Sequence, residues 1–477
     1  MSVANKIFTN TLWQVIIRAV NILIGVISLA LVTRILGQAG FGYYTTIFAF
    51  VQIFMILADF GLYLTLLHDI STTTDRQEEN KIVNNIFTIR VLASLLIIIL
   101  APIAVWFFPY DLAVKQGVLY FVGVFFFNSL ISTLTAVFSK KLEMPKVAIV
   151  DFVNKIFYIS FLLYYFYFGG NLNAILLTNS ITSFLAFILL YLFLRKHVSL
   201  NLAWDFSYWK KVFHTTWPLA VTVVLNLVYF KADTLILSLY ESPETVGLYG
   251  APYRILEVIT TFPHMFMSLI LPIFTAAWVA KNTEKINQTL QSTFDFFSIL
   301  GVLMIVGTWL LSTPMMIMLS GQEFAPSGAI LNVLILATVS IFFGTLYTYL
   351  VVALKIQKKM IKYFFLAAII GLLGYIIFIP RFSYWGAAYM TLVVEVLIWV
   401  FAYYLVKKHL PMKLNLSVLF KAIFSGLVTF ILVWLMKDTN IFLKFIAIIF
   451  IYILGLYISR AVDKKTMIKL IKSQKDV

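Results

Sequence analysis

Ionisable side chains lie well inside several apolar stretches of the sequence, where such groups are costly and usually functional. Arg18, Asp59 and Lys155 each lie about seven residues from one end of a stretch, or roughly 10 Å along a helix. Arginine binds phosphate oxygens bidentately and lysine binds them as a point charge. These residues predict a basic pocket for a phosphate or pyrophosphate. The one carboxylate among them would offset part of the positive charge. Salt bridges among the three residues are the structural alternative.

Polar residues in four of these stretches follow helical spacing, which places their side chains on one helix face. We interpret the faces as the lining of a central cavity that binds a headgroup, whereas simple hydrogen bonding between packed helices is the alternative. The candidate cavity residues are Arg18, Asn21, Gln52, Asp59, Lys155, Asn226, Asp233, Arg254, Glu257 and His264. Glu395, near the middle of its stretch, and Asp59 are candidates for coupling transport to a proton or cation.

Other charged residues have simpler interpretations. Arg90 lies near a predicted inner interface, to which its head can reach. Lys231 lies off the polar face of its helix and is expected to reach the outer headgroups. Local ion pairs are expected where opposite charges lie three or four residues apart, at Asp151–Lys155 and Arg254–Glu257.

The elements that must position these residues are apolar runs of roughly twenty residues, each long enough to cross a membrane as a helix. About fourteen runs are expected, near 11–33, 43–66, 86–107, 117–138, 148–168, 174–194, 216–238, 251–275, 291–312, 329–353, 361–379, 385–406, 417–436 and 441–459. The chain is 62% hydrophobic and 12% charged, which predicts an all-α polytopic membrane protein. Continuous runs exclude the alternation of a β-barrel. No small-residue cleavage site follows the first apolar core, so the first span is expected to remain.

Basic residues are distributed unevenly over the connections between spans. With the N-terminus inside, 25 Lys and Arg fall in inner segments and four in outer loops. This bias predicts a cytoplasmic-membrane protein with both termini cytoplasmic, and it explains the net charge of +16 without a nucleic-acid partner. The connections are too short for a soluble catalytic domain, and the absence of cysteine excludes thiolate metal sites. No enzymatic activity, metal or cofactor is therefore expected.

An internal repeat is indicated by one short motif. Phe41-Gly42-Tyr43-Tyr44 precedes the second span, and Val246-Gly247-Leu248-Tyr249 precedes the eighth, 205 residues later. Six spans separate the copies, so the repeat is parallel and the halves have the same orientation in the membrane. The predicted division is 1–205 as an N-terminal six-helix lobe, 206–412 as a C-terminal six-helix lobe, 413–459 as two further spans and 460–477 as a basic cytoplasmic tail.

In three passages the chain resembles the polysaccharide-biosynthesis flippases of the multidrug/oligosaccharidyl-lipid/polysaccharide exporter (MOP) superfamily. They are Thr33-Arg34-Ile35-Leu36-Gly37 with Phe41-Gly42-Tyr43-Tyr44 and Asp59-Phe60-Gly61; Trp217-Pro218 with Asp233, Val246-Gly247-Leu248-Tyr249 and Arg254; and Ile379-Pro380 with Trp385-Gly386-Ala387-Ala388 and Glu395. The resemblance implies two lobes in a V shape around a cavity, and alternating access driven by an ion or proton gradient. The family's basic cavity residues map onto Arg18, Arg90, Lys155, Lys231 and Arg254.

The resemblance implies a flippase that moves a polyprenyl-pyrophosphate-linked oligosaccharide to the outer leaflet for cell-surface polysaccharide, such as O-antigen or exopolysaccharide. Membrane lipid, a polysaccharide polymerase and chain-length machinery are the expected partners. A drug or organic-cation antiporter of the same superfamily is one alternative, but it would favour acidic cavity residues. A membrane-embedded polymerase or ligase of lipid-linked sugars is another, but the short outer loops disfavour it.

Overall fold

The computed structural model is helical, without strands, over the residues that it describes. It describes the backbone of residues 3–436 and 439–461, and the side chains of 23–55, 59–217, 231–436 and 439–461. The helices are α1 Val3–Asp59, α2 Leu62–Thr72, α3 Arg76–Val105, α4 Leu112–Lys140, α5 Met144–Phe168, α6 Leu172–Leu194, α7 Phe206–Tyr240, α8 Pro243–Val279, α9 Thr283–Ser320, α10 Ser327–Ala353, α11 Gln357–Phe382, α12 Tyr384–His409, α13 Ser417–Trp434 and α14 Ile441–Ile458, with one 3₁₀ turn at Gln322–Phe324. The predicted all-α fold is confirmed. Most of the predicted basic tail lies outside the described residues.

Helix α1 contains the first predicted span and most of the second. Gly37 interrupts it with a non-helical backbone (φ 64°, ψ −172°) that glycine adopts far more readily than other residues. The second half of α1 ends at Asp59, where Phe60 and Gly61 are both left-handed (φ 47° and 78°) before α2 begins. The second span was predicted as one run over 43–66, and that continuity is wrong.

Twelve helices in the described part of the chain are long and apolar enough to cross a membrane. The second half of α1 and the 35-residue α7 account for the two other predicted spans. Polar residues at the sequence breaks begin several helices, because their side chains accept hydrogen bonds from first-turn amides. Asp75, Asn171 and Asn440 do so for α3, α6 and α14.

The chain forms two compact units. The first comprises Met1–Ala251 with Leu372–Ala387, and the second comprises Pro252–Gly371 with Ala388–Val477. Many large apolar side chains are exposed, and Phe107 and Phe168 are 85% and 75% accessible, as a lipid-facing surface requires. In the second unit most of α10 is buried. The predicted lobe boundaries at 205 and 412 stay predictions.

The repeated glycines lie against each other in the first unit. A Cβ on Gly42 would overlap the carbonyl oxygen of Pro243, and a Cβ on Gly247 would overlap that of Gln38. The two contacts are related by the offset of 205 residues, because Gln38 corresponds to Pro243 and Gly42 to Gly247. Thr45 likewise contacts its own counterpart, Gly250. This set, called here the glycine seam, is the reciprocal contact expected of two copies of one motif.

Polar side chains of α3 hold the connection between α6 and α7. Asn84 accepts a hydrogen bond from the backbone amide of residue 201 (3.1 Å), Thr88 from that of 203 (2.9 Å), and Asn85 from that of 205 (2.9 Å). The Asn85 oxygen also accepts from the Trp209 indole. We call this arrangement the α3 clasp.

The second unit holds the connection after α12 in a similar way. Gln291 of α9 exchanges two hydrogen bonds of 2.8 Å with the backbone of Asn415. Asn287 donates to the carbonyl of Pro411 at 3.2 Å. In both units, therefore, the third helix of a predicted repeat binds the segment that leaves the sixth.

Candidate functional site

A buried ion pair joins α1 to α3 in the first unit. Arg90 donates from Nη2 to Asp59 Oδ1 at 2.6 Å. Its Nη1 donates to the carbonyl oxygen of Ser129 on α4 at 3.1 Å. The Arg90 side chain is 1% exposed and that of Asp59 is 37% exposed. The cation is thus enclosed, whereas the carboxylate that neutralises it is accessible.

The local fold explains this geometry. Asp59 is the last residue of α1, and the left-handed pair Phe60-Gly61 turns the chain away immediately after it. Arg90 lies fourteen residues inside α3, or about 21 Å from its start at 1.5 Å per residue. The expectation that the Arg90 side chain reaches an interface was wrong, because that side chain is enclosed and paired with Asp59.

Several buried polar atoms near this pair have no hydrogen-bond partner in the described part of the chain. They include Arg90 Nε, Ser94 Oγ on the next turn of α3, and Thr133 Oγ1 on the next turn of α4 after Ser129. Gln52, a predicted cavity residue two turns before Asp59, has a buried unpartnered Oε1. Buried polar atoms are nearly always satisfied by protein or water. Buried polar atoms in the first unit therefore extend beyond the Arg90–Asp59 pair itself.

The expected cluster of Arg18, Asp59 and Lys155 is not seen as such. Lys155 pairs with Asp151 at 3.5 Å, one turn away on α5, as the sequence predicts. Asp59 pairs with Arg90. Arg18, together with Asn21, lies outside the described side chains.

A second polar group in the first unit surrounds Asp233 of α7, which is fully buried. Tyr249 donates its hydroxyl to Asp233 Oδ2 at 2.6 Å, and the amide of Thr234 lies 2.6 Å from Oδ1. Lys231 is 8% exposed and its Nζ lies 5.6 Å from the centre of the Phe48 ring, so the expectation that it reaches the outer headgroups was wrong. Asn226 lies outside the described side chains.

The other candidates lie in the second unit. Arg254 and Glu257 form the expected ion pair on α8, with 2.5 Å between Nη1 and Oε2. His264 is exposed, and its ring centre lies 6.2 Å from that of Tyr349. Glu395 and Thr391 are both buried, one turn apart on α12. Among the described residues, no group of acidic, histidine or cysteine side chains could hold a metal ion.

Sequence reasoning missed the roles of Ser94, Ser129, Thr133 and Tyr249. Ser94 lies four residues after Arg90, and Thr133 four after Ser129, so helical spacing carried a signal for these pairs. Tyr249 is the last residue of the second copy of the repeated motif. Its hydrogen bond to Asp233 gives that motif a second role.

Solved structures similar to this one are transporters and flippases. The lipid II flippase MurJ, in an inward closed conformation, matches with a TM-score of 0.78 and 15% identity, over 94% of this chain and 98% of that one. A multidrug resistance MATE family transporter of the MOP superfamily, in an inward-facing conformation, matches at 0.66 and 10%, over 81% and 94%. A MOP superfamily transporter from Pyrococcus furiosus matches at 0.57 and 10%, over 84% and 95%. At these identities the likeness shows a shared fold.

Family models identify the chain more directly. The model described as polysaccharide biosynthesis protein matches residues 7–278, which is more than half of the chain. The MatE model matches residues 218–377. A sequence search of curated proteins gives no match. The chain therefore belongs to the polysaccharide biosynthesis protein family, and its many long apolar helices make it a multi-pass membrane protein.

Proposed function

We propose that the protein moves a polyprenyl-pyrophosphate-linked oligosaccharide from the inner to the outer leaflet of the cytoplasmic membrane, for cell-surface polysaccharide biosynthesis. The family assignment and the similarity to the lipid II flippase MurJ support a lipid-linked cargo. The observation that carries the proposal is the enclosed Arg90 cation, whose only carboxylate partner in the described structure is accessible.

Arg90 is the anion-binding group in this proposal. A guanidinium pairs with carboxylate or phosphate through the same fork of N–H donors. A pyrophosphate can therefore replace Asp59 as the partner of Arg90, while Arg90 Nε and the Ser94 hydroxyl supply further donors. Asp59 is then released from Arg90, and it remains the proposed group for coupling transport to a proton or cation.

The conformational part of the proposal is alternating access. The polar interior of the first unit receives the headgroup from the cytoplasm, while the polyprenyl chain stays in lipid. The glycine seam closes one end by direct backbone contact, and its parting would open that end. Because no side chains interlock at the two glycines, the seam can part without repacking large groups there.

The topology of the proposal follows the distribution of Lys and Arg. Both termini and the connections after α4, α6, α8, α10 and α12 are placed in the cytoplasm. Polysaccharide polymerase and chain-length machinery are the proposed partners on the outer side, because they would use the delivered unit. No enzymatic step is assigned to the chain.

Binding of undecaprenyl pyrophosphate to the purified full-length protein tests the proposal. Native mass spectrometry should show tighter binding of the pyrophosphate than of undecaprenol. Replacing Arg90 with Lys should reduce the preference about 10-fold or more, since a charge-assisted hydrogen bond contributes about 1.5–3 kcal/mol. The matched control is Lys146→Ala, which removes a cation from a partly exposed ion pair instead.

Two outcomes would contradict the proposal. Equal binding of undecaprenol and undecaprenyl pyrophosphate would show that the protein does not recognise the pyrophosphate. Saturable transport of an organic cation such as ethidium into proteoliposomes, unaffected by undecaprenyl pyrophosphate, would favour the antiporter. Membrane yield and a monodisperse elution profile show that the Arg90→Lys protein is folded.

A further inference from the structure

A cavity of about 560 Å³ lies where α8, α10 and α12 end in the second unit. Its lining includes Trp278, Lys281, Lys355 and His409. The volume falls within the range of small-ligand sites, roughly 300–1,000 Å³. None of the proposed cargo-binding groups belongs to this lining, so the cavity is independent of the proposed function.

The two lysines occupy unusual backbone positions. Lys281 and Lys355 follow the ends of α8 and α10 with φ values of 53° and 57°. Each amide closes a helix-ending turn, to Trp278 and Val352 respectively, with both bonds 3.0 Å long. Glycine is the usual residue in such a left-handed position. At both positions, therefore, a long cationic side chain stands where glycine would suit the backbone better.

A third amine lies beside the cavity histidine. His409 Nδ1 is 2.8 Å from the carbonyl oxygen of Leu405, so it donates there. Its Nε2 then accepts from Lys359 Nζ, at 2.8 Å. In the described part of the chain, no carboxylate lies within ion-pair distance of Lys281, Lys355 or Lys359. Among the described residues, this cationic face therefore has no carboxylate paired with its three lysines.

The corresponding place in the first unit has such a carboxylate. Leu142, after α4, is left-handed with φ 56°, as Lys355 is after α10. The next residue is Glu143, whose carboxylate bridges Lys146 at 2.6 Å and His197, after α6, at 2.9 Å. A carboxylate therefore joins the lysine and the histidine in the first repeat.

The second repeat keeps the bases but not the acid. Lys359 lies four residues after Lys355, as Lys146 lies four after Leu142, and His409 ends the sixth helix of its repeat. The position equivalent to Glu143 is Ile356. The orientation of the chain in the membrane requires only that this connection be basic. It does not explain why the position equivalent to Glu143 is the apolar Ile356.

We propose that this cavity binds a phosphate group, which takes the part that Glu143 takes in the first repeat. Lys281 and Lys355 of the lining, together with Lys359 beside His409, supply the positive charge, and the Thr283 hydroxyl supplies a further donor. Trp278 is a residue type that anchors at membrane interfaces. The phosphate belongs either to an anionic lipid headgroup or to a soluble ion.

The test uses the purified full-length protein in nanodiscs of neutral phosphatidylcholine. One arm adds phosphatidylglycerol in steps, and the other adds sodium phosphate at constant ionic strength. The unfolding temperature of the natural protein should rise in at least one arm. A rise with lipid alone assigns the headgroup, and a rise with phosphate alone assigns the soluble ion.

The double variant Lys281→Gly, Lys355→Gly should bind the responding anion about 25-fold more weakly, because each basic residue near an anionic surface contributes about fivefold. It should be at least as stable as the natural protein in neutral lipid, because glycine suits both backbone positions. Ile356→Glu should also suppress the response by supplying an internal carboxylate. Leu142→Gly, the matched control, should leave the response unchanged.

The proposal is overturned if the natural protein responds in neither arm. It is also overturned if the double variant binds as tightly as the natural protein. If the double variant is more stable but its response to the anion is unchanged, the two lysines serve only to orient the chain in the membrane.

Discussion

Alanine substitution in the glycine seam should open it, and the reciprocal geometry predicts how two substitutions combine. A Cβ on Gly42 overlaps the carbonyl oxygen of Pro243, and one on Gly247 overlaps that of Gln38. Neither overlap can be relieved by a rotamer change, because both involve backbone. Overpacking of this kind costs typically about 1–3 kcal/mol, which corresponds to about a 5- to 150-fold change in the population of the closed seam.

The two substitutions act on one contact. Once either Cβ has separated the segments, the second overlap is already partly relieved. The double variant Gly42→Ala, Gly247→Ala should therefore cost less than the two single variants together, by at least about 0.5 kcal/mol. Under the proposed function, all three variants should favour the conformation in which this end is open.

The chain has no cysteine, so Thr45→Cys provides a single reporter in the seam. Maleimide labelling of this cysteine should accelerate in the alanine variants, and thermal unfolding should measure the cost. Gly307→Ala is the matched control, because no atom lies within 4 Å of its added Cβ. Additive costs within about 0.3 kcal/mol, or labelling rates equal to those of the control, would refute the reasoning.

Three further predictions concern hydrogen bonds and charge in the first unit. Tyr249→Phe should lower the free energy of unfolding by about 1–3 kcal/mol, because buried Asp233 loses a donor. Asn85→Ala should speed amide hydrogen exchange at residues 201–205, because it removes two hydrogen bonds of the α3 clasp. Burial opposes ionisation of Glu143, but bonding to Lys146 and the nearby His197 outweigh it and lower the pKa of Glu143 below its usual 4.5. The contribution of Glu143 to stability should be complete above pH 4.5 and lost as pH falls through the lowered pKa. The measurement is the unfolding temperature of the natural protein relative to that of Glu143→Gln, taken across this pH range.

The predictions for Tyr249 and Asn85 each have a matched control. Tyr457→Phe changes a tyrosine that is 67% exposed and should leave stability unchanged. Asn171→Ala removes a helix cap elsewhere and should not change exchange at 201–205. Unchanged stability of Tyr249→Phe would contradict the first argument, and unchanged amide exchange in Asn85→Ala would contradict the second. The third fails if the unfolding temperatures of Glu143→Gln and the natural protein change in parallel with pH.

The spans were predictable because a chain in lipid must satisfy its backbone within each helix, so long apolar runs have only one structure available. The motif around Gly42 and Gly247 predicted a repeat, and the structure gives the two glycines a physical reason, since close backbone approach requires glycine at both positions. The break after Asp59 was not predictable from hydropathy, because Phe60 and Gly61 do not interrupt the apolar run.

The partners of the charged residues could not be predicted in the same way. Local pairs such as Arg254 with Glu257 depend only on helical spacing, and the sequence predicted them correctly. The pair of Arg90 and Asp59 depends on which helices are neighbours and on where α3 begins. The positions of apolar runs in the sequence do not determine either. The cavity roles of the remaining candidates, including Gln52, Asp233 and Glu395, stay predictions.

The α3 clasp also constrains the length of the connection that it holds. It binds the amides of residues 201, 203 and 205, which are alternate residues, so a one-residue insertion or deletion would present the wrong amides to all three acceptors. A two-residue change restores the alternation. Chimeric transporters that join the halves of two relatives at this connection should therefore keep its length or alter it by an even number.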